Sequence, residues 1–409
     1  MKKRIASAII ALALCLTLLP ATVLAAEPDT RHTIQPSASA IKDWSANDGY
    51  DYIYLGNNPV KWRVLSANGD TAKSYQGGAG NTSTKSNALF MLSEDVLAQT
   101  QFGAKNQTRF DKSAAQTWCN DFKSKALTAT EQLAVFTTVS KQESSQTIND
   151  NIYSYNNPSN LLPRAGSAVF FLSATEASNS AYGFSSNDAR RATSGAWWLI
   201  SRATTKAGTF GTVSSDGAFQ STAANSPAGA RPALNLDKRQ VLFTTAADNS
   251  AHQDGLVTPT SYDGHEFKLT LKDANSFEGG TKIVGGRTTL NNQYQDASIT
   301  IQHKALKDIS DTYTNVTAAL TDSEGTLLYY GSVNSDTGAT RTVVTLPNGL
   351  PDGTYKLSLY GEDWNDEYKS DYATGTPFTV EITIHDGADG PDLTPREQDG
   401  LMSIDDLSG

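Results

Sequence analysis

The 409-residue sequence predicts an α+β module followed by an all-β sandwich. Three observations carry that reading. Between about 43 and 246, alternating apolar runs are interleaved with runs whose apolar residues recur at helical spacing. From about Thr260 the helical spacing disappears, and FKLTLKD, ASITIQH, NVTAALTD, GTLLYYGSV, TRTVVTL, GTYKLSLYGED and FTVEITI follow one another with turns between them. About seven alternating strands in roughly 125 residues is the profile of a β-sandwich. Between the two regions, ADNSAHQDG is polar and unpatterned, which marks 247–262 as a linker.

The elements follow in order. Lys2, Lys3 and Arg4 precede an apolar run from Ile5 to Leu19, Pro20 ends it, and Val23-Leu24-Ala25 follows. This pattern predicts a secretory signal peptide over 1–26. A polar leader over 27–42 comes next. YDYIYLG and PVKWRVLS, joined by Asn57-Asn58-Pro59, predict a β-hairpin. ALFMLSEDVLAQ reads as a buried strand running into a short helix. Ala114, Trp118, Phe122 and Leu127 share a helical face, and TATEQLAVF predicts a second helix capped by Thr128. AVFFLSATEAS echoes ALFMLSEDVLA, and Ser173 with Glu176 forms a capping-box pattern. WWLIS, GTFGTV, AFQ, ARPALNL and VLFTT are strand-like, with a hairpin turn at Asp216-Gly217. An acidic tail occupies 387–409, after a sandwich placed at 263–386.

In GAWWLISR, Trp197 and Leu199 share one strand face and Trp198 and Ile200 the other. Both faces are apolar, so a central strand covered on both sides is expected. From Ser201 the run SRATTKAGT carries no apolar side chain larger than alanine before Phe210. Ser201, Arg202, Thr204, Thr205 and Lys206 are therefore expected to be exposed and to offer the ligand-binding surface.

Taken with their order, the pieces GNNPVKWRVL, ALFMLS, VFFLSATEA, WWLIS and GARPALNL resemble a family of secreted or surface modules of Gram-positive bacteria. The tail of that family is similar to the C-type-lectin-like fold of formylglycine-generating enzymes and retroelement-diversified binding proteins. The resemblance covers about 43–246 and implies a C-type-lectin-like α+β module, with an immunoglobulin-like sandwich after it. Ile200 stands where such relatives usually carry Arg, and Arg202 follows two residues later.

The formal charge is −10, and −13 once Lys2, Lys3 and Arg4 leave with the signal. So acidic a chain does not fit phosphate-backbone binding, and no nucleic-acid partner is expected. No further apolar run approaches the ~20 residues of a membrane span. Cys119 is the one cysteine after the signal, so formylglycine-generating chemistry, which uses paired cysteines, is excluded. No HExxH, GxSxG, Walker loop or CxxC is present. GEDWNDEYKSD (361–371) lacks EF-hand spacing, and no metal or cofactor is expected. Arg231 is expected to act in the fold, and Tyr50, Tyr52 and Tyr54 to pack along one strand face. The composition points to a secreted or cell-surface protein that recognises an extracellular protein or glycan without catalysis. The alternatives are an enzyme acting on cell-surface polymers and a structural component of a surface assembly.

Overall fold

The computed structural model describes residues 34–70, 72–76, 82–141, 146–148, 152–154, 166–203, 208–260 and 262–387. The expected signal peptide and nearly all of the acidic tail lie outside them. Strand takes 42% and helix 12%, so the chain is mostly β and the expected α+β C-type-lectin-like class is overturned. The reason is helix length. The helix at Ala114–Ala126, capped by Ser113, is where the spacing put it. The other three α-helices among the described residues, Ala129–Ala134, Ala174–Ala177 and Asn187–Arg190, are single turns or little more. Helices so short are held by their caps and packing, not by propensity. The expected capping box of Ser173 with Glu176 forms, and Thr128, expected as a cap, forms a second one with Glu131. The helix expected after Ser93 does not: Ala98–Gln101 is a strand, paired antiparallel with Pro227–Ala230.

One sheet of fourteen strands runs through both halves of the sequence. Its main path begins with Val169–Phe170, Ala233–Asp237, Ala88–Ser93, Val60–Ser66 and Tyr52–Leu55. It continues through Glu266–Lys272 and Asp371–Ala373 into Gly353–Asp363, Asn315–Thr321 and Leu327–Asn334. The join is the Glu266–Lys272 strand. Its start pairs in parallel with Tyr52–Leu55, its end in parallel with Asp371–Ala373, and its other edge antiparallel with Val241–Ala246. Phe267, Leu269 and Leu271 accordingly pack in the same core as Trp62, Phe90 and Trp197.

The immunoglobulin-like unit expected over 263–386 is thus corrected: its first strand belongs to the core of the first half. Residues 247–260 lie along the same seam, with Ala247 and Ala251 buried and Val257 bridged to Tyr330. Part of the leader is folded as well. Ile34–Pro36 is a strand on the outer edge of Val241–Ala246. The remaining C-terminal strands enclose a second core, in which Ile299 and Ile301 of a three-stranded sheet face Val316, Leu320, Leu357 and Ile382.

Trp197–Arg202 is the middle strand of a separate five-stranded sheet, between Thr209–Val213 and Pro227–Ala230. Trp197, Trp198, Leu199 and Ile200 are all buried. Each indole finds a carbonyl: Trp197 Nε1 donates to Arg190 O at 3.1 Å and Trp198 Nε1 to Thr100 O at 2.8 Å. Phe102 stacks on Phe210 and meets Trp198 edge-on. The Asp216-Gly217 hairpin forms, and Gly217 is required there. Its φ is +82°, and a Cβ would lie 1.8 Å from Asn187 O.

Candidate ligand-binding site

The polar run after WWLI does not begin at the surface. Ser201 is 2% exposed, and its Oγ accepts the N–H of Ala174, the first residue of a helix, at 2.9 Å. The hydroxyl that breaks the apolar pattern is a buried hydrogen-bond partner, which corrects its expected exposure. Arg202 is half-buried and pairs in register with Phe210. Thr204, Thr205 and Lys206 lie outside the described residues.

Arg231 is fully buried beside the same strand. Its guanidinium donates to Ser93 O (3.0 Å), Glu94 O (2.7 Å), Arg190 O (3.2 Å) and Arg191 O (3.4 Å). It also lies over the Trp197 ring, 5.0 Å from its centroid. A planar group with five N–H donors suits four carbonyls from two separate loops. Cys119 is buried in the Ala114–Ala126 helix, and burial pushes its thiol well above the usual range, away from nucleophilic chemistry.

A cavity of about 340 Å³ opens at the seam between the halves. The Tyr52–Leu55 and Glu266–Lys272 strands pair in parallel with Glu266 opposite Tyr52, and Tyr52 N donates to His265 O. That register sets the preceding residues, Asp51 and His265, side by side. Asp51 Oδ1 lies 2.9 Å from His265 Nδ1, while Oδ2 accepts Lys42 N at 2.8 Å. His265 Nε2 points toward Asp48, 3.6 Å from Oδ1. Asp51 is buried, whereas His265 and Asp48 are open to the cleft. Tyr262 and Phe267 form an aromatic wall, edge to face with centroids 5.3 Å apart. Thr260 Oγ1 also lines the cleft, buried and without a protein hydrogen-bond partner.

Tyrosines continue from this wall across the hairpin. Tyr50 donates to Tyr182 O, Tyr52 carries the Lys61 ammonium 4.1 Å above its ring, and Tyr54 meets Tyr368 edge-on at 4.7 Å. Lys61 is paired with Glu266, whose carboxyl it holds below the usual range. Burial and Glu266 together push the Tyr54 phenol up. Tyr50, Tyr52 and Tyr54 therefore share a face, half-buried to buried, as the alternation implied.

The arrangement offers a donor–acceptor pair in the imidazole and carboxylates, a hydroxyl without a partner, and an apolar wall. It can seat a small ligand that is both donor and acceptor, and the volume falls at the small end of the ~300 to 1,000 Å³ common for ligand sites. Sequence reasoning missed the site. Asp51 and His265 are 214 residues apart, and parallel pairing leaves no local spacing to read. Among the described residues no group of three or more His, Cys, Asp or Glu is placed to hold a metal ion. Nor is any helix among them long and apolar enough to cross a membrane.

Residues 86–238 match the family described as a domain of unknown function (DUF6273). That span holds Arg231 and the Trp197–Arg202 strand, while Asp51, Thr260, Tyr262 and His265 fall outside it. No curated protein and no solved structure matches the chain.

Proposed function

We propose that the protein is exported and recognises an extracellular glycan, without chemistry, in the cleft headed by Asp51 and His265. The carrying observation is the juxtaposition of the Asp51–His265 pair, the unpartnered Thr260 hydroxyl and the Tyr262–Phe267 wall. A sugar hydroxyl donates and accepts at once, so a site for it needs acceptors and donors side by side. The ring's C–H face needs an apolar surface beside them, which tyrosine supplies together with a polar tip. The signal-like N-terminus and the acidic charge support a location outside the cell.

A glycan array probed with the full chain tests the reading. Retention of a defined set of glycans, recovered unaltered in mass after long incubation, is the expected result. Release of shortened products favours an enzyme acting on surface polymers. An array with no ligand on it refutes the glycan reading.

A further inference from the structure

The geometry points to an intramolecular amide cross-link between the Lys268 amine and the Asp371 carboxyl, binding neighbouring parallel strands covalently at the seam. It is independent of the cleft and of what the cleft binds. Thr270 stands opposite Asp371 in the parallel ladder, so Lys268, two residues earlier, lies on the same sheet face. Its Nζ is 2.9 Å from Asp371 Oδ1, and both side chains are withdrawn from solvent, at 0% and 2% exposure. The amine is held in place by Asn249 Oδ1 at 2.6 Å and by the carbonyls of Asn365 and Asp366. The carboxyl is held by Asn365 N on Oδ1 and by His252 Nε2, 2.9 Å from Oδ2. The imidazole itself lies flat on Trp364, with centroids 4.4 Å apart and planes 2° from parallel.

The ammonium and carboxylate are in contact and shielded from solvent, and the reaction begins when one proton passes from nitrogen to oxygen. The neutral amine then faces a carboxylic acid at contact distance, with water excluded. The reaction follows from that placement. The Nζ lone pair attacks Cγ, giving a tetrahedral centre. His252 takes a proton from the nitrogen and returns it to the hydroxyl oxygen, the Cγ–O bond breaks, and water leaves. The ammonium and carboxylate become one amide and one water, with no oxidant or co-reactant, and His252 ends as it began. Proximity of this kind replaces external activation of the acid. A second carboxyl nearby reports how dry the region is: burial, together with the charge of Asp371, pushes Glu362 up to about 7.

Intact mass of the full chain under denaturing conditions, followed by tryptic mapping, tests this without any variant. The expected result is a mass one water below that of the linear chain with the same N-terminus, no cleavage after Lys268, and a branched peptide joining Lys268 to Asp371. Asp371→Ala should restore the linear mass. His252→Ala should slow cross-link formation by about 10²-fold or more if it relays the proton; an unchanged rate overturns that role. The full linear mass with free cleavage after Lys268 overturns the cross-link. Loss of ammonia in place of water, with Lys268 joined to Asn249, overturns the assignment to Asp371.

Discussion

Replacing Arg231 with methionine keeps most of the side-chain volume and removes every hydrogen bond it makes. Four carbonyls lose their donor, those of Ser93 and Arg190 in buried hydrogen bonds and those of Glu94 and Arg191 in part-buried ones. A hydrogen bond to a charged group contributes ~1.5 to 3 kcal/mol, so four would give ~6 to 12 if simply added. Much of that sum is offset, because burying the guanidinium costs several kcal/mol that methionine avoids. The contact with the Trp197 ring adds about 1 kcal/mol or less. A net loss of about 3 to 5 kcal/mol is expected, a large share of the ~5 to 15 kcal/mol of a typical domain. Arg231→Lys keeps the charge but has three donors on a single point, so it should recover less than half of the loss. Urea unfolding followed by tryptophan fluorescence reads both variants. A loss under about 1 kcal/mol for Arg231→Met would refute the assignment of Arg231 to the fold.

Two further outcomes follow from the seam. Glu362, raised to about 7 from the model-compound value of 4.5, stabilises the fold when protonated, so its contribution is complete below about 4.5 and lost as pH rises through 7. The difference amounts to at most about 3 kcal/mol, since the charge of Asp371 that adds to the burial effect is absent once Asp371 is in the amide, and Glu362→Gln should flatten the fall in stability between those pH values; an unchanged slope contradicts it. A chain ending near Ala246 lacks the strand that supplies Phe267, Leu269 and Leu271 to the first core, and three buried apolar side chains are worth roughly 2 kcal/mol or more each. That fragment should fail to show a cooperative melt, and one that melts like the full chain would show the Glu266–Lys272 strand to be dispensable.

How far the sequence can be read depends on how local each signal is. The Ala114–Ala126 helix, the two capping boxes and the Asp216-Gly217 hairpin are set by residues within a few positions of one another. The two tryptophans were legible for a related reason, since alternation alone shows that both faces of their strand are apolar. Ala98–Gln101 misled because its state is decided by Pro227–Ala230, far along the chain, not by its own residues. Ser201 misled because a buried hydroxyl with a partner looks the same in sequence as an exposed one. Neither the continuous sheet nor the Asp51–His265 cleft leaves a local trace, because both arise from parallel pairing between distant strands. C-type-lectin-like topology was inferred from motif order, and motif order does not constrain helix length or sheet partners.

Titration calorimetry of the best array-selected glycan against wild type and His265→Ala tests the central claim most directly. His265 is partly exposed but its ring pairs with buried Asp51, so the variant should stay folded with a urea midpoint lowered by the equivalent of about 1 to 3 kcal/mol. Its Kd for the glycan should rise at least about tenfold, the equivalent of ~1.4 kcal/mol for one charge-assisted contact. An unchanged Kd in a fully folded His265→Ala protein would place the ligand elsewhere and contradict the account.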